Sequence, residues 1–363
     1  MTGRLARVLY LPNEHGDLSQ RGPRRALGGL LDAGLIEDVR IVSLLHRVRV
    51  GNGSAERARV LEIVQDFKPT IILLDKPSGT GLGSSDVEAW RSVSDFVFVV
   101  LDMDPYHWWF KPLSSEAKAL AQHADSVFVV GSGSFLTSYR RAGASNVRWS
   151  RQPYPPCSFG RLEITGDTVT RDVVMIANRI PSRLGRLRTM PGEVDRRRLV
   201  ASLEREFGSG FALLGAGWAE PIGLGPIAFF EQESAIRSAW VTANWDHFPA
   251  EPDYVSNRLP ISLASGTVHF TTWHPGFDEL FGELPFLRLV RRQVDIAPAI
   301  RAYLESTSSV ERIEHARQAR AFAEPRYRQD VWLVEILNSG GAEIDPAVAK
   351  ETFSDESRML TEE

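Results

Sequence analysis

Short runs of apolar residues recur along the chain, and a segment with helical spacing follows most of them. Each run is apolar at successive positions, which is typical of strands buried on both faces of a parallel sheet. The alternation of strand and helix predicts βαβ units in a doubly wound sheet. In the first half, the predicted strands are residues 6–12, 39–45, 70–76, 95–103, 126–131 and 146–150.

The same pattern begins again after a proline-rich linker, RQPYPPCSFGR. We therefore predict an α/β protein with two Rossmann-like domains facing a cleft, residues 1–155 and 165–325, and a helical tail at 326–363 with a frayed end. The strands predicted in the second half are residues 172–178, 211–218, 239–244, 267–273 and 286–290, and the helices between them are residues 195–207, 229–238 and 256–264.

Composition narrows the class of protein without naming it. The 363 residues include 43% hydrophobic and 24% charged residues, which is ordinary for a globular protein with a full core. The formal charge of −4 does not favour nucleic acid or an anionic membrane as a partner. Cys157 is the only cysteine, so no intrachain disulfide can form. No apolar run approaches the roughly 20 residues of a membrane span, and we expect a cytoplasmic protein.

Polar residues that follow the strands of the second half are candidate ligands, because open α/β sheets bind ligands beyond the carboxyl ends of their strands. Arg179 and Arg183 follow the first of these strands, and guanidinium forks suit diphosphate oxygens. An ordinary solvated basic face is the alternative, and it is favoured for the helical run Arg196–Arg198. Gly217 allows close backbone approach after the next strand, and Trp218 offers a face for a flat base.

The stretch after the third strand of the second half combines polar side chains with a helix start. The strand ends near Asn244, and Asp246 and His247 follow. Ser256 is the predicted N-cap of the next helix, whose first turn holds Asn257 and Arg258. Free backbone N–H groups and the helix dipole at such a start can hold a phosphate. A capped helix with a surface arginine is the alternative interpretation.

In the first half, acidic and imidazole groups follow two strands. Asp102 and Asp104 lie in the segment LDMDPYHWWF, and His15 lies in a loop after the first strand. A carboxylate or imidazole at these positions could deprotonate an acceptor hydroxyl. The alternative for Asp104 is the N-cap of a helix with Pro105 at its first position.

The sequence resembles a known family in several segments. NWDHF, followed by YVSNRLPISLASGTVHFT and GFDELFGE, resembles the donor-site region of the CgeB-like, group 1 glycosyltransferases, which have the two-domain GT-B fold. YRRAGASNV and VVMIANR resemble that family's passage from the first domain into the second. The resemblance implies transfer of a sugar from a nucleotide-sugar donor, with the residues of the second half binding the donor and Asp246 and His247 bordering its sugar. It implies that Asp102, Asp104 or His15 handles the acceptor.

Ile261 departs from the family pattern. The resemblance places an acidic residue at this position, where it would hold the ribose hydroxyls of the donor, and isoleucine cannot accept a hydrogen bond. Three interpretations remain open: another group, such as Asp253, Ser256 or Ser262, binds the ribose, the donor is unusual, or activity has been lost. Because Asn257 and Ile261 are four residues apart on one helix, they should share a face toward the donor.

Two other functions compete with the glycosyltransferase prediction. The arginines between 179 and 198 leave open a transferase that modifies DNA bases, although the net charge speaks against it. Ile261 leaves open a sensor that binds a nucleotide or sugar without catalysis. The acceptor would be a small molecule, a glycan or DNA. A P-loop, a GxGxxG helix start and an HExxH motif are absent from the sequence, and we expect neither a cofactor nor a metal.

Overall fold

The computed structural model describes residues 5–16, 19–51, 53–107, 109–180, 189–220 and 222–353. The chain forms two compact units. The first unit combines Met1–Ser150 with Gln329–Glu363, and the second unit is Arg151–Arg328.

The first unit is built on a parallel sheet of six strands in the order β2-β1-β3-β4-β5-β6. Side chains such as those of Val99 and Leu73 are fully buried because helices cover both faces of the sheet. The connections from β1 run to opposite sides, toward β2 and then back to β3, so a switch point lies between β1 and β3. The strands are β1 (Arg7–Leu11), β2 (Asp38–Ile41), β3 (Ile71–Asp75), β4 (Val97–Asp102), β5 (Ser126–Val129) and β6 (Val147–Trp149).

Six helices connect these strands. All lie between or beside the strands where the alternating pattern places them, and α2 occupies residues that the sequence prediction had assigned partly to the second strand. The helices are α1 (Arg21–Asp32), α2 (Leu44–Val50), α3 (Gly53–Phe67), α4 (Ser84–Val93), α5 (Ser115–Ala121) and α6 (Ser134–Arg141).

The C-terminal helices α13 (Gln329–Ser339) and α14 (Pro346–Thr352) belong to the first unit and do not form a separate tail. The apolar side of α13 packs against α1, and Trp332 and Leu337 join the same buried cluster as Leu27 of α1. The indole N–H of Trp332 also donates to Ser150 Oγ at 2.7 Å. The helical content of the predicted tail is therefore present, but the sequence prediction missed that its apolar residues complete the core of the first unit.

The second unit is built on a parallel sheet of five strands in the order β11-β10-β9-β7-β8. Here β7 pairs with β9 on one side and with β8 on the other, so the switch point lies between β7 and β9. All eleven strands predicted from the apolar runs are present in the two sheets. Those of the second sheet are β7 (Arg171–Ile176), β8 (Phe211–Leu214), β9 (Ala239–Ala243), β10 (Val268–Thr272) and β11 (Leu287–Val290).

Helices also flank the second sheet, and the predicted helices of this half are all observed with small shifts at their ends. The largest shift concerns the predicted helix at 229–238, which consists of a short 3₁₀ segment, Phe229–Glu231, and then α8. The helices are α7 (Glu193–Phe207), α8 (Gln232–Arg237), α9 (Arg258–Ala264), α10 (Phe277–Phe281), α11 (Ile296–Ser306) and α12 (Ser309–Tyr327).

Candidate functional site

A pocket of ≈ 290 Å³ lies at the switch point of the second sheet. Its lining comes from the carboxyl ends of β7, β8 and β9, from α8 and α9, and from β10. Apolar side chains such as Ile176, Phe229 and Ile236 form much of the lining, with polar groups of Asn178, Arg258 and others between them. A mostly apolar pocket with a few convergent polar groups is the usual form of a small-molecule site.

Glycines allow the loops after β7 and β8 to meet at the mouth of this pocket. Gly215 has a φ of +136°, and a Cβ at this position would lie 2.2 Å from the Ala177 carbonyl oxygen. The close approach lets Asn178 Oδ1 accept from the backbone N–H of Ala216 at 2.9 Å, and the N–H of Arg179 donates to the Ala216 carbonyl at 2.9 Å. A side chain at Gly215 would therefore separate two loops that line the pocket.

Gly217 and Trp218 belong to the same junction but lie outside the pocket lining. Gly217 has a φ of +86°, and a Cβ there would lie 2.7 Å from the Arg179 carbonyl oxygen. The indole N–H of Trp218 donates to the Ala177 carbonyl at 2.6 Å. The structure thus gives Gly217 the predicted close approach and gives Trp218 a structural hydrogen bond, while base stacking by Trp218 stays a prediction.

Helix α9 begins at Arg258, with Asn257 as its N-cap residue. The prediction that Ser256 is the N-cap is therefore wrong by one residue: the Ser256 carbonyl accepts from the N–H of Leu259, and its side chain is buried. Asn257, Arg258 and Ile261 all line the pocket, which confirms that Asn257 and Ile261 share a face toward it.

Arg258 is anchored at the floor of the junction. Its Nε donates to the Ile176 carbonyl oxygen at 2.8 Å, at the carboxyl end of β7. Within the residues that the structure describes, its two terminal nitrogens have no hydrogen-bond partner. The guanidinium therefore has a fixed position and free donors beside the pocket, which is the arrangement that recognises phosphate oxygens.

Arg179 and Arg183 are the other two arginines that the sequence predicts to bind the donor. Arg179 lies beside the pocket residue Asn178, and its Nε is 3.9 Å from Glu193 Oε1. Arg183, which was predicted to bind the donor with Arg179, lies outside the described residues.

Arg196 does not belong to a solvated basic face, as the sequence had suggested for the run Arg196–Arg198. Its side chain is fully buried, and it donates to the carbonyls of Trp245 at 2.7 Å and Asn178 at 3.4 Å. Burial, and then the nearby Arg258 charge, lower its pKa to about 10. Arg196 therefore holds together the loops that follow β7 and β9. The next two residues of the run, Arg197 and Arg198, are exposed.

Asn244 and Asp246 form a buried polar cluster with His274. Asn244 Nδ2 donates to Asp246 Oδ1 at 2.8 Å, and His274 Nε2 lies 3.1 Å from Asp246 Oδ2. Burial alone would raise the pKa of Asp246, but the hydrogen bond and charge of His274, with Arg258, bring it well below its ordinary value. Asp246 is 3% exposed and does not line this pocket, and its place beside the donor sugar stays a prediction.

His247 faces a different partner. Arg196 Nη1 donates to its Nε2 at 2.8 Å, and Glu193 Oε2 lies 3.2 Å from the same nitrogen. Burial lowers the pKa of His247, and the Glu193 hydrogen bond offsets only part of that effect. The imidazole is therefore neutral near pH 7. His247 does not line the pocket, and its place beside the donor sugar stays a prediction.

The first unit collects the predicted acceptor residues at the carboxyl ends of its strands. Asp102 ends β4, is fully buried, and accepts a short hydrogen bond from the Tyr139 hydroxyl. Burial raises its pKa to about 7; the Tyr139 hydrogen bond opposes that rise, and the Asp104 charge adds to it. Because no part of Asp102 reaches the surface, the structure argues against direct proton transfer from an acceptor to this carboxylate.

Asp104 and His15 are closer to solvent. Asp104 Oδ2 lies 3.0 Å from Lys111 Nζ and 3.3 Å from Lys76 Nζ, and these charges outweigh burial and lower its pKa. The segment after Asp104 is not helical, so the N-cap alternative is wrong. His15 is exposed, and burial, then the Arg49 and Lys76 charges, lower its pKa. His15 is therefore unprotonated at neutral pH, the form that a general base requires.

Sequence reasoning missed several groups that share these two sites. In the first unit they are Asp75, whose pKa burial and then the Asp102 charge raise to about 7, and Lys76, which adopts a φ of +67°. A non-glycine residue with positive φ after a strand at a switch point is typical of a functional loop. The backbone conformation of Lys76 cannot be seen in the sequence, where Asp75 and Lys76 are simply an acid followed by a lysine. In the second unit the missed groups are Thr242 and His269, which lie inside predicted buried strands.

Two features of the described residues bear on the predicted class. In the described ranges, no group of three or more His, Cys, Asp or Glu side chains is arranged to hold a metal ion, and the expectation of a metal-free site stays a prediction. Within the same ranges, no helix has the length and apolar character needed to cross a bilayer.

Residues 188–336 match the protein-family model described as "Glycosyl transferase-like". Most of the pocket lining lies within this segment, including α8, α9 and β10. No curated protein matches the chain in sequence.

Solved structures of glycosyltransferases share the fold of the chain. HepE from Anabaena, in complex with UDP-glucose, is 14% identical at a TM-score of 0.54, with 96% of this chain and 100% of that chain covered. Sucrose-phosphate synthase from Thermosynechococcus elongatus is 14% identical at a TM-score of 0.56, covering 96% and 99%. A glycosyltransferase from Rickettsia africae is 10% identical at a TM-score of 0.58, covering 97% and 99%. These likenesses confirm the predicted GT-B fold class.

Proposed function

We propose that this protein is a glycosyltransferase that moves a sugar from a nucleoside diphosphate donor to an acceptor hydroxyl. One observation carries the proposal: the pocket at the switch point of the second sheet is formed mostly by the segment that matches the glycosyl transferase-like family model. The HepE structure of the same fold is a complex with UDP-glucose, which makes a uridine nucleotide the first donor to test. The CgeB-like subfamily and a cytoplasmic location remain part of this proposal.

The nucleoside would occupy the pocket itself. Its apolar wall, with Ile176, Ile227 and Phe229, matches the flat face of a base, and its volume of ≈ 290 Å³ lies at the lower end of small-molecule pockets. The polar groups between these side chains, such as Asn178 and Gln232, can fix the orientation of the base and the ribose.

The diphosphate would lie at the mouth of the pocket beside the guanidinium groups. The terminal nitrogens of Arg258 have no partner among the described residues, and Arg179 follows directly after the pocket residue Asn178. When the bond between the sugar and the diphosphate breaks, negative charge grows on the departing phosphate oxygen. Fixed guanidinium groups stabilise that charge without rearranging, so the proposal needs no metal ion for this step.

The acceptor hydroxyl would lose its proton to a group of the first unit. Of the three predicted candidates, His15 is exposed and unprotonated at neutral pH, whereas Asp102 is buried and Asp104 is paired with two lysines. His15 is therefore the general base that we favour. Its ring contacts the Arg49 guanidinium, which would orient it.

The test is release of nucleoside diphosphate from a panel of nucleotide sugars, with and without candidate acceptors. Activity should appear with one donor and fall by at least about tenfold in Arg258→Ala, since a hydrogen bond to a charged group contributes about 1.5–3 kcal/mol. Arg198→Ala is the matched control, because Arg198 is an exposed arginine of α7 that pairs with Asp195. Donor binding without turnover for every acceptor would favour the sensor hypothesis. Salt-sensitive retention on DNA would favour the DNA-modifying alternative.

A further inference from the structure

His269 is a buried histidine in a wall of the donor pocket. It lies on β10, is 1% exposed and lines the pocket together with Thr242 of β9. The two residues are direct partners in the parallel ladder between β9 and β10. A fully buried strand of a parallel sheet usually carries apolar side chains at such positions, so this pair of polar residues is out of place as plain core.

Among the described residues, one of the two ring nitrogens of His269 has a partner and the other has none. Nδ1 lies 2.8 Å from Thr242 Oγ1, which fixes the ring plane. In the part of the chain that the structure describes, Nε2 is buried and has no hydrogen-bond partner. A buried polar atom without a partner costs about 1–3 kcal/mol, so its presence in a pocket wall indicates an occupant that completes it.

The protonation state of the His269 ring determines which ligand group can hydrogen-bond to Nε2. Burial lowers the pKa of His269 to about 4, with the Arg258 charge adding to the effect, so the ring is neutral near pH 7. A neutral ring leaves Nε2 as either a donor or an acceptor, depending on which way the Thr242 hydroxyl points. A ligand hydroxyl can serve either tautomer because it donates and accepts. A phosphate oxygen would instead favour the guanidinium groups at the mouth.

The helical wall of the pocket offers no hydrogen-bond partner at position 261. Ile261 of α9 lines the same pocket and is 4% exposed, and its side chain has no polar atom. Helix α9 packs directly on β10, so the two walls approach the same occupant. With an apolar residue at position 261, His269 is a group in position to bind a sugar hydroxyl from the strand side.

We propose that His269 binds a ribose hydroxyl of the donor nucleotide through Nε2, with Thr242 as the residue that orients the ring. The inference rests on the proposed function, because it assigns one specificity contact within the same pocket. His269 would distinguish ribonucleotides from 2′-deoxyribonucleotides and would not take part in the transfer itself.

The test removes the ligand hydroxyl and the protein side chain separately and together, as in a double-mutant cycle. The affinities are measured by calorimetric titration of the full chain. UDP and dUDP, GDP and dGDP, and ADP and dADP are titrated first, and the tightest pair is used for the variants. The wild type should prefer the ribonucleotide by about three- to tenfold, the range of one net hydrogen bond. His269→Leu should bind both members of the pair equally, and Thr242→Val should reduce the preference in part.

Two further variants show whether a change in the preference comes from the lost hydrogen bond or from a general effect of the substitution. His269→Gln keeps a donor and an acceptor and should retain part of the preference, which also serves if the leucine variant does not fold. His315→Leu is the matched control, since His315 pairs with Tyr303 away from the pocket and its loss should leave the ratio unchanged.

Each outcome bears on one of the two claims. A preference that persists unchanged in His269→Leu, or in His269→Gln and Thr242→Val if the leucine variant does not fold, would overturn the role of His269. Equal binding of ribo- and deoxyribonucleotides by the wild type would also overturn it, while leaving the proposed donor site intact. A wild type that binds none of the nucleoside diphosphates would overturn the proposed function and this inference with it.

Discussion

The first five strands have the same order in the two units, but the side chains at the ends of these strands differ in chemistry. In each sheet the second strand lies beside the first at one side, and the third, fourth and fifth continue on the other. Both units therefore have a switch point between their first and third strands. At this point the second unit has a mostly apolar pocket with guanidinium groups, whereas the first unit has Asp75, Asp102 and Asp104 with two lysines.

The difference shows that the fold supplies the position of a site and the side chains supply its function. Loops after β7 and β8 meet closely because Gly215 has no side chain, and the pocket forms beside them. In the first unit, burial raises the pKa values of Asp75 and Asp102 to about 7, and the charge of a neighbouring carboxylate adds to each rise. The guanidinium groups of the second unit electrostatically favour a phosphate-bearing donor there.

The largest effect is expected from the buried arginine of the second unit. Arg196→Met should lower the free energy of unfolding by about 3–5 kcal/mol, because the carbonyls of Trp245 and Asn178 lose a charged partner in a buried site. Its counterpart in the first unit is Arg24→Met, which breaks the fully buried pair with Glu14. Chemical denaturation measures both, and Arg197→Met, on the exposed side of α7, should change stability by less than about 0.5 kcal/mol.

The pH dependence of stability should differ in sign between the units. The folded first unit keeps a proton on Asp102 up to a pKa of about 7, while the unfolded chain releases it near 3.8, so stability is lost as pH rises through that window. In the second unit, His269 has a pKa of about 4 instead of 6.5, so stability is gained as pH rises between those values.

Asp102→Asn should reduce the fall in stability of the first unit between pH 4 and pH 7 by at most about 4 kcal/mol, and the remaining fall comes from Asp75, whose pKa is also about 7. Denaturation at several pH values measures it, and Glu88→Gln, at an exposed acid of α4, is the control. An unchanged slope in Asp102→Asn would show that the proton is held elsewhere.

Nucleotide binding should respond only to cations of the second unit. Arg258→Ala should weaken binding of a nucleoside diphosphate by about 1.5–3 kcal/mol and should hardly change binding of the nucleoside, because the lost contact is to phosphate. Lys111→Ala removes a cation at the switch point of the first unit and should leave the affinity unchanged. Calorimetry of both variants with both ligands separates the two sites, and equal effects of the two variants would contradict the assignment.

The smallest effect is expected at Ile261. Ile261→Glu places an acceptor on the helical wall of the pocket and should tighten UDP or GDP binding by about 0.5–1.5 kcal/mol, the contribution of one net hydrogen bond. The measurement is titration of wild type and variant with both nucleotides. A folded variant that binds both less tightly would show that the ribose does not lie against this residue.

The fold followed from the sequence because buried parallel strands have a simple pattern. Runs such as TIILLDK and DFVFVVLDM are apolar at successive positions, and only a sheet covered on both faces buries them completely. The place of α13 did not follow, since nothing in its own pattern tells that its apolar face completes the core beside α1.

The site was harder to predict for a related reason. Arg258 and Asn257 were visible because they follow a strand at a helix start. Arg196, Asp246 and His247 look like the same kind of residue, but Arg196 and His247 contact each other, Asp246 joins Asn244 and His274, and none of the three lines the pocket. Burial distinguishes the two sets, and burial of a polar side chain depends on distant loops. His269 and Thr242 were missed because a polar residue inside a strand has no local sign of a pocket.

The most direct test of the central claim is hydrogen–deuterium exchange of the full chain with and without a nucleoside diphosphate. Binding in the second unit predicts slower exchange in peptides that contain Asn178, Ala216 and residues 257–269, with no change in peptides that contain Lys76 or Asp104. Protection confined to the first unit, or none in the peptide from 257 to 269, would contradict the account.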